Sequence, residues 1–325
     1  MVKFLILGII PLVVLHISSI SATKPAPIVF LIQSQPSEFH VKLAEKLKLS
    51  ILNQWSQYVP SHVMTPPSVV LTHLLDEASS AWTIFPIIKV LADHMKAEET
   101  IEWAAVLAEN TDIGLVNLNL AVEKYSSFRP SEEPLFLGRA LKDTESSIVH
   151  HFASPGVLDY PDLEAGFFLS RKLVLDLEAD LEKIADGDKE LKSLFPSDFN
   201  IDPAYEFAKF LNKEGKGVEL KNVDEICAKK SKKFNCITSF KQETSCLKSS
   251  QAAEMKAVLG RSLVAVKTCS KFHKNRLAAV KATWAPRVPH LELISDAEDE
   301  EHQTKVVFST NRMTRTHILI PHQNF

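Results

Sequence analysis

The chain has 325 residues, of which 45% are hydrophobic and 24% are charged, and its formal net charge is −3. This is an ordinary globular composition, and the length suits one large or two modest domains. A charge balance so near neutral offers no basic surface to a polyanion, so nucleic acid is excluded as an expected partner.

The first 22 residues have the pattern of a secretory signal. Lys3 precedes an apolar run, Phe4 to Ile17, and small and polar residues follow it up to Ala22. Pro11 interrupts the run, which is also shorter than the ~20 residues that cross a bilayer. The sequence therefore predicts a signal peptide over 1–22 and no membrane span after its removal. The expected location is the endoplasmic reticulum lumen or the secretory pathway, with a short type II membrane anchor as the alternative.

Strand and helix patterns then alternate over 27–211. Apolar runs predict strands at 27–35, 67–75, 102–110, 133–141 and 146–153. Helical stripes predict one helix from Ser37 to Trp55 and a long amphipathic helix beginning within 164–185. Such alternation is typical of an α/β sheet domain.

Residues 212–260 are rich in lysine and lack sustained periodicity, which predicts a connector between domains. Three cysteines fall within it, Cys227, Cys236 and Cys246, and their spacing fits no zinc motif. Because a secretory compartment permits disulfides, these residues are predicted to form a local disulfide clip. With Cys269 as the fourth cysteine, three pairings exist, and the sequence does not choose among them.

A new strand begins at Leu263 and opens a second α/β unit over 261–325. The two openings, "IVFLIQSQPSEFH" and "LVAVKTCSKFH", each run from an apolar strand through a polar loop to a Phe-His pair, Phe39-His40 and Phe272-His273. This likeness predicts an internal duplication whose second copy is partial. A chance similarity between two strand-helix units is the alternative.

The stretch "LVAVKTCSKFHKNRLAAVKATW" resembles the opening of Fringe-like β-1,3-glycosyltransferases. The segments "PIVFLIQSQ", "LFLGRALKD", "IVHHFA" and "YPDLEAGFFLS", in this order, narrow the resemblance to the branch that extends O-linked fucose with glucose. The resemblance covers about residues 27–300. It implies a Fringe-like, Rossmann-like GT-A domain, followed by the opening of a second such domain.

The resemblance also implies a chemistry. The full-length family would use UDP-glucose as donor and Mn²⁺ to neutralise the leaving diphosphate, with fucosylated thrombospondin type 1 repeat proteins as partners. By resemblance, Thr268, Arg276 and Asp296 lie in the donor-nucleotide pocket of the second unit. The guanidinium of Arg276 presents paired donors that suit a diphosphate or the edge of uracil.

The sequence departs from the family pattern at the motifs that carry out the reaction. The metal-binding D-x-D should follow a later strand, yet no D-x-D occurs between Thr268 and Phe325. The acidic residues Glu298 to Glu301 are interpreted as a solvated loop. The acceptor motif, the base aspartate and a retention tail are missing as well. The chain is therefore predicted to be truncated at its C-terminal end, and the Mn²⁺-dependent use of UDP-glucose is expected of the full-length family.

The first domain is predicted to be complete but degenerate. Glu109 and Asp112 are vestigial metal ligands near the position of a D-x-D. Asp198 and Asp202 are the candidates for a catalytic base, with a helix cap or loop acid as the alternative. The adjacent histidines 150 and 151 are predicted to be structural, because neighbours on a strand face opposite sides and cannot chelate together.

Two functions follow from these observations. The first is a β-1,3-glucosyl transfer to O-linked fucose on thrombospondin type 1 repeats. The alternative is a non-catalytic pseudo-glycosyltransferase module that binds the acceptor protein or a partner, because the metal motif and the base are missing.

Overall fold

A computed structural model describes residues 28–58, 66–76, 83–196, 201–229, 235–241 and 249–306. The chain divides into two compact units, Met1–Glu243 and Thr244–Phe325. The predicted signal peptide lies outside the described residues. Among the helices that are described, none has the length and apolarity to cross a membrane.

The first unit alternates strands and helices. Its described strands are β1 (Ile28–Gln33), β2 (Val69–Leu71), β3 (Trp103–Ala108), β4 (Thr111–Ile113), β5 (Phe136–Gly138), β6 (Ala140–Leu141), β7 (Tyr160–Pro161), β8 (Phe167–Ser170), β9 (Leu220–Asn222), β10 (Ile226–Lys229) and β11 (Thr238–Phe240). Its described helices are α1 (Glu38–Tyr58), α2 (Phe85–Ala97), α3 (Leu115–Tyr125), α4 (Arg171–Ala185), α5 (Lys189–Leu194) and α6 (Pro203–Asn212).

A mixed six-stranded sheet, ordered β2-β1-β3-β8-β5-β9, forms the centre of this unit. β1 runs parallel to β2 and β3, whereas β8 is antiparallel to both β3 and β5. β9 is parallel to β5. The parallel strands therefore end at one edge, which we call the carboxyl edge, and β8 begins there.

Helices cover both faces of the sheet. Val29 and Leu31 pack into one core cluster with α2, α4 and α6, whereas Ile28, Phe30 and Ile32 pack into another with α1 and α3. The alternation follows from the two-residue period of a strand. Because both faces are buried, β1 consists of a continuous apolar run. Full burial of Phe30 alone stabilises the fold by roughly 2 kcal/mol.

One prediction about local structure is wrong, and another is confirmed with a later start of the helix. Residues 146–153 do not form a strand. Ile148–His150 is a 3-10 turn, and positive φ angles of 54° at His151 and 56° at Phe152 prevent an extended continuation. The segment 164–185 is not helical throughout, because Phe167–Ser170 is β8. The helix begins only at Arg171, where the side chain of Ser170 accepts a hydrogen bond from the Leu173 amide.

The predicted connector is also wrong in its first half. Leu220–Asn222 pairs with β5 in the central sheet, and Ile226–Lys229 and Thr238–Phe240 join β4 in a separate three-stranded sheet. The chain therefore remains part of the first unit well beyond residue 212. A disulfide joins Cys227 and Cys236, with their Cα atoms 5.8 Å apart. Cys246 lies outside the described residues.

The second unit is smaller. Its described elements are α7 (Ser249–Leu259), β12 (Val264–Lys267), α8 (Ala278–Ala282), β13 (Leu291–Ser295) and β14 (Lys305–Val306). The strands form a parallel sheet ordered β12-β13-β14, so β12 and β13 share a carboxyl edge. A 3-10 turn and a π-helical turn lead from β12 into α8. The α/β class predicted for the chain is confirmed.

Candidate functional site

The carboxyl edge of the first unit is held together by its own polar groups. The Ser34 amide donates to Thr72 Oγ1 at 2.8 Å, and the Thr72 hydroxyl donates to the Ser34 carbonyl at 2.9 Å. Ser34 Oγ lies 2.7 Å from Nδ1 of His73. These bonds join the end of β1 to the end of β2. Each of these groups already has a partner within the protein.

Glu109, one of the predicted vestigial metal ligands, follows β3 at the same edge. Its carboxylate contacts Nδ1 of His40, which lies on the first turn of α1. The carboxylate is mostly buried, with 15% of the side chain exposed. The imidazole therefore occupies a Glu109 oxygen that a metal would require.

Asp112, the second predicted metal ligand, has a different environment. It lies within β4, opposite Ser239 of β11. Across the described ranges, no three His, Cys, Asp or Glu side chains are arranged to hold a metal ion. Because Mn²⁺ requires several oxygen or nitrogen ligands together, the residues in the described part of the chain do not fit this metal.

The segment that leads into β8 passes close to β3 at the carboxyl edge. Gly166 has a φ of 80°, and a Cβ there would lie 2.8 Å from Leu107 Cδ2 and 3.1 Å from the Val106 carbonyl. Only glycine allows the chain to pass β3 so closely. Burial and the nearby Asp162 carboxylate raise the pKa of Glu164. This carboxyl group therefore binds its proton more strongly than an exposed glutamate does.

A buried cluster lies beyond β5, around His150. Nδ1 of His150 is 2.7 Å from Asp143, and Nε2 is 3.0 Å from Asp202. The Tyr160 hydroxyl donates to Asp143 at 2.9 Å, and the Tyr205 ring stacks on the imidazole with centroids 4.0 Å apart. Burial lowers the pKa of His150, but the hydrogen bonds to Asp202 and Asp143 outweigh it and raise the pKa above the usual value. The imidazole of His150 therefore binds its proton more strongly than an exposed histidine does.

Asp202, a candidate base, has two structural roles in this cluster. Its Oδ1 caps α6 by accepting from the amides of Ala204 and Tyr205, and its Oδ2 pairs with His150. His151 contacts Glu206 instead, so the two adjacent histidines have separate partners. The other candidate base, Asp198, lies outside the described residues.

The carboxyl edge of the second unit contains two of the predicted donor-binding residues. Thr268 follows β12, and its amide donates to the Ile294 carbonyl at 2.8 Å, which extends the ladder to β13. Asp296 follows β13, and its Oδ1 accepts from the Ser270 amide at 2.6 Å. That backbone hydrogen bond is the main reason why the pKa of Asp296 is lowered. The structure brings Thr268 and Asp296 together at this edge.

Arg276, the third predicted donor-binding residue, lies in the π-helical turn His273–Leu277. Its guanidinium carbon lies 4.0 Å from the centroid of the Phe272 ring, a cation–π contact. π-Helical turns occur frequently at functional sites. The turn places a delocalised cation on the element that follows the Thr268 loop.

His273 begins this turn and is buried. Nε2 lies 2.7 Å from Ser295 Oγ, and Nδ1 lies 2.9 Å from Asp299 Oδ2. The amide of His302 is the main cause of a lowered pKa at Asp299, and His273 contributes to it. The interpretation of Glu298 to Glu301 as a solvated loop is therefore wrong at Asp299, which is held by two partners.

Sequence reasoning missed most of these contacts. Ser34, Thr72, Asp143 and Tyr160 follow no catalytic motif, and their partners are distant in sequence. One signal was present, because Ser-x-Phe-His occurs at 37–40 and again at 270–273. In both units its histidine contacts an acidic residue that follows a later strand of the same unit.

The chain is similar to known proteins in two ways: one short segment matches a family model, and most of the chain matches curated relatives. A Fringe-like family model matches residues 259–323. β-1,3-Glucosyltransferase of Homo sapiens is 37% identical over 274 residues, 83% of this chain and 49% of that protein. The Mus musculus protein of the same name is 37% identical over 273 residues, 83% of this chain and 50% of that protein. The chain spans about half the length of these curated relatives.

Among solved structures, a glycosyltransferase involved in the glycosylation of the major capsid of PBCV-1 aligns with a TM-score of 0.36 at 10% identity. The alignment covers 70% of this chain and 97% of that protein. The Fringe-like segment and the two curated relatives make the chain similar to the glycosyltransferase class. Within that class the chain resembles β-1,3-glucosyltransferase, as its sequence motifs predict.

Proposed function

We propose that this chain binds the donor for a β-1,3-glucosyl transfer from UDP-glucose to O-linked fucose on thrombospondin type 1 repeats in the secretory pathway. The observation that carries the proposal is the 37% identity over 274 residues to a β-1,3-glucosyltransferase. The Fringe-like match at 259–323 supports the second unit as the donor-binding part. The transfer step itself is not assigned to the described residues.

The second unit supplies the donor contacts in this proposal. Asp296 holds the loop after β12 through the Ser270 amide, which fixes the position of Thr268. Ligands of α/β sheets bind beyond the carboxyl ends of the strands. Arg276 presents a planar fork of N–H donors that matches a diphosphate. These residues bind and orient the nucleotide.

Mn²⁺ would neutralise the leaving diphosphate in the complete reaction. Within the described ranges, no three His, Cys, Asp or Glu side chains are gathered to hold it. We therefore assign the chain donor binding without a metal-dependent step.

The experiment is calorimetric titration of the full chain with UDP. We expect saturable binding that weakens about tenfold in Arg276→Lys, because an ammonium cannot form the paired hydrogen bonds of a guanidinium. Arg287→Lys, which changes an exposed arginine of the same unit, is the matched control and should bind as wild type. The absence of UDP binding, or equal affinity in Arg276→Lys, would overturn the donor role.

A second readout separates binding from catalysis. UDP-glucose and a fucosylated repeat are incubated with the full chain, and transferred glucose is measured by mass spectrometry. No transfer is expected, since no group of three His, Cys, Asp or Glu side chains in the described part of the chain could hold the metal. Measured transfer would contradict the restriction to donor binding.

A second candidate function concerns the first unit, which we propose as a non-catalytic module for the fucosylated repeat. The contact between His40 and Glu109 favours it, because that carboxylate is already occupied. Surface plasmon resonance with an immobilised fucosylated repeat should show binding that is unchanged in Arg276→Ala. A failure to bind the repeat would remove this candidate and leave the donor titration unaffected.

A further inference from the structure

A series of hydrogen-bonded side chains crosses the carboxyl edge of the second unit. Nε2 of His273 lies 2.7 Å from Ser295 Oγ, and the Ser295 hydroxyl donates to Asp296 Oδ1 at 3.1 Å. Asp296 Oδ1 also accepts from the Ser270 amide at 2.6 Å. These bonds connect the turn that begins at His273 with the loop that follows β12.

The other ring nitrogen of His273 is held as well. Nδ1 lies 2.9 Å from Asp299 Oδ2, and Asp299 Oδ1 accepts from the His302 amide at 3.0 Å. The ring of His302 packs edge-on against that of His273, with the centroids 6.3 Å apart. His273 is 4% exposed and Ser295 is 6% exposed. Because water has little access to a buried imidazole, its two nitrogens depend on these two side chains as partners.

Arg276 lies three residues after His273 in the same π-helical turn. Its guanidinium stacks on the ring of Phe272, the residue before His273. A displacement of His273 would therefore move both the turn and the ring that supports the guanidinium. Binding groups need to be held within about 0.5 Å of their productive position by the residues behind them.

We propose that His273 is a positioning residue for donor binding, which ties the turn of Arg276, through Ser295, to the strand end that carries Asp296. The inference rests on the proposed donor role of the second unit. His273 is buried and does not contact the nucleotide. It sets where Arg276 and the loop after β12 lie relative to each other.

The protonation of His273 changes this connection. The protonated ring donates from both nitrogens, so Ser295 Oγ accepts and directs its own proton to Asp296. In the neutral ring, the Asp299 carboxylate favours the tautomer with a proton on Nδ1, so Nε2 accepts the Ser295 proton and Asp296 loses that donor. The charged or titratable groups that face the ring or share its turn are Asp299, Asp296, His302, Lys274 and Arg276.

The test is calorimetric titration with UDP of the full chain and of two variants that each keep one of the two contacts. The amide nitrogen of glutamine reaches as far as Nε2 of histidine, and that of asparagine reaches as far as Nδ1. His273→Gln therefore keeps the donor to Ser295, whereas His273→Asn keeps the donor to Asp299. We expect near-wild-type affinity in His273→Gln and affinity weakened about three- to tenfold in His273→Asn. A merely structural role would lower both melting temperatures and leave the two affinities equal.

Thr304→Val is the matched control. Thr304 is also buried in the second unit, but its hydroxyl donates to the Ala297 carbonyl at 2.9 Å rather than to His273, Ser295 or Asp296. This variant should melt earlier and bind UDP as the wild type does.

A second readout does not use UDP. In ¹H–¹⁵N NMR spectra of the full chain, the Ser270 amide should shift together with the His273 ring between about pH 5 and pH 8, because Asp296 gains or loses the Ser295 proton. This shift should disappear in Ser295→Ala.

Equal UDP affinities in His273→Asn and His273→Gln would overturn the inference and leave the donor role standing. A Ser270 amide that does not follow the His273 ring in the wild type would overturn it as well. If the wild type binds no UDP, the donor role itself fails and this inference fails with it, so the two failures are distinguishable.

Discussion

The two Ser-x-Phe-His openings have the same local sequence and different chemistry. In the first unit, His40 is one-third exposed and contacts Glu109, and the amide of Ser34, three residues before the motif, donates to the hydroxyl of Thr72. In the second, His273 is buried between two partners, and the Ser270 amide donates to the carboxylate of Asp296. The two units therefore share a strand-loop-helix opening, but the side chain that accepts from its loop is a hydroxyl in the first unit and a carboxylate in the second.

This difference explains why the donor is assigned to the second unit. There, a carboxylate and an arginine follow the first two elements of a parallel sheet. In the first unit, Thr72 holds the loop after β1, and the acid beyond β3 is paired with a histidine. Both edges hold a carboxylate that is bonded within the protein, but only the second has an arginine, Arg276, on the helical element that follows its first strand.

The largest expected effect is the loss of stability in His273→Ala, which should exceed the loss in His40→Ala. His273→Ala leaves Ser295 and Asp299 without their buried partner, and it should destabilise the second unit by about 2–3 kcal/mol. His40→Ala also removes the partner of the mostly buried Glu109 carboxylate, but His40 is one-third exposed and water can take its place, so the cost to the first unit should be smaller, about 1–2 kcal/mol. Urea unfolding followed by hydrogen exchange of each unit measures both. Equal losses of stability in the two units would contradict the difference described between the two histidines.

A medium effect is expected at the strand ends of the first unit. Thr72→Val removes both hydrogen bonds to Ser34 and should lower the free energy of unfolding by about 1–2 kcal/mol. Thr100→Val is the control, because its hydroxyl bonds only to the exposed Glu98 side chain and its loss should be near zero. Thermal unfolding of the full chain reports both. An unchanged Thr72→Val would show that the edge is not held by this pair.

The smallest effect is a difference in pH dependence. The pKa of His150 is raised by Asp143 and Asp202, so its stabilisation of the first unit is present below pH ~6.5 and is lost as the pH rises through the folded-state pKa. The pKa values of Asp296 and Asp299 are lowered, so their stabilisation of the second unit is present above pH ~3.9 and is lost as the pH falls through the folded-state values.

Hydrogen exchange, corrected for intrinsic rates, should therefore show the first unit opening first towards alkaline pH and the second towards acid pH. The matched variant is His150→Gln, which should remove the alkaline loss in the first unit. The same pH profile in both units would contradict the assignment of these groups.

Much of the fold could be predicted because its signals are local. The continuous apolar run of β1 and the apolar stripe of α1 indicate buried elements without tertiary information. Phe167–Ser170 was missed because its apolar residues fit either a strand or a helix, and pairing with β3 decided it. The strand Leu220–Asn222 was missed because Lys221 and Asn222 are exposed and conceal an edge strand in a lysine-rich stretch.

The candidate sites were less predictable because their partners are remote in sequence. His150 and Asp202 are separated by 52 positions, and only the packing of α6 against β7 brings them near each other. The pairing of Cys227 with Cys236 likewise depends on the positions of β10 and β11. The position of Asp296 in the donor pocket was predicted from the resemblance, whereas its hydrogen bond to the Ser270 amide was not predicted.

The central claim is that donor binding belongs to the second unit. Hydrogen exchange of the full chain with and without saturating UDP tests it most directly. The account predicts slower exchange at residues 264–276 and 291–296 and no change at 28–40 and 69–73. Protection of the first unit's edge, with none in the second, would contradict it.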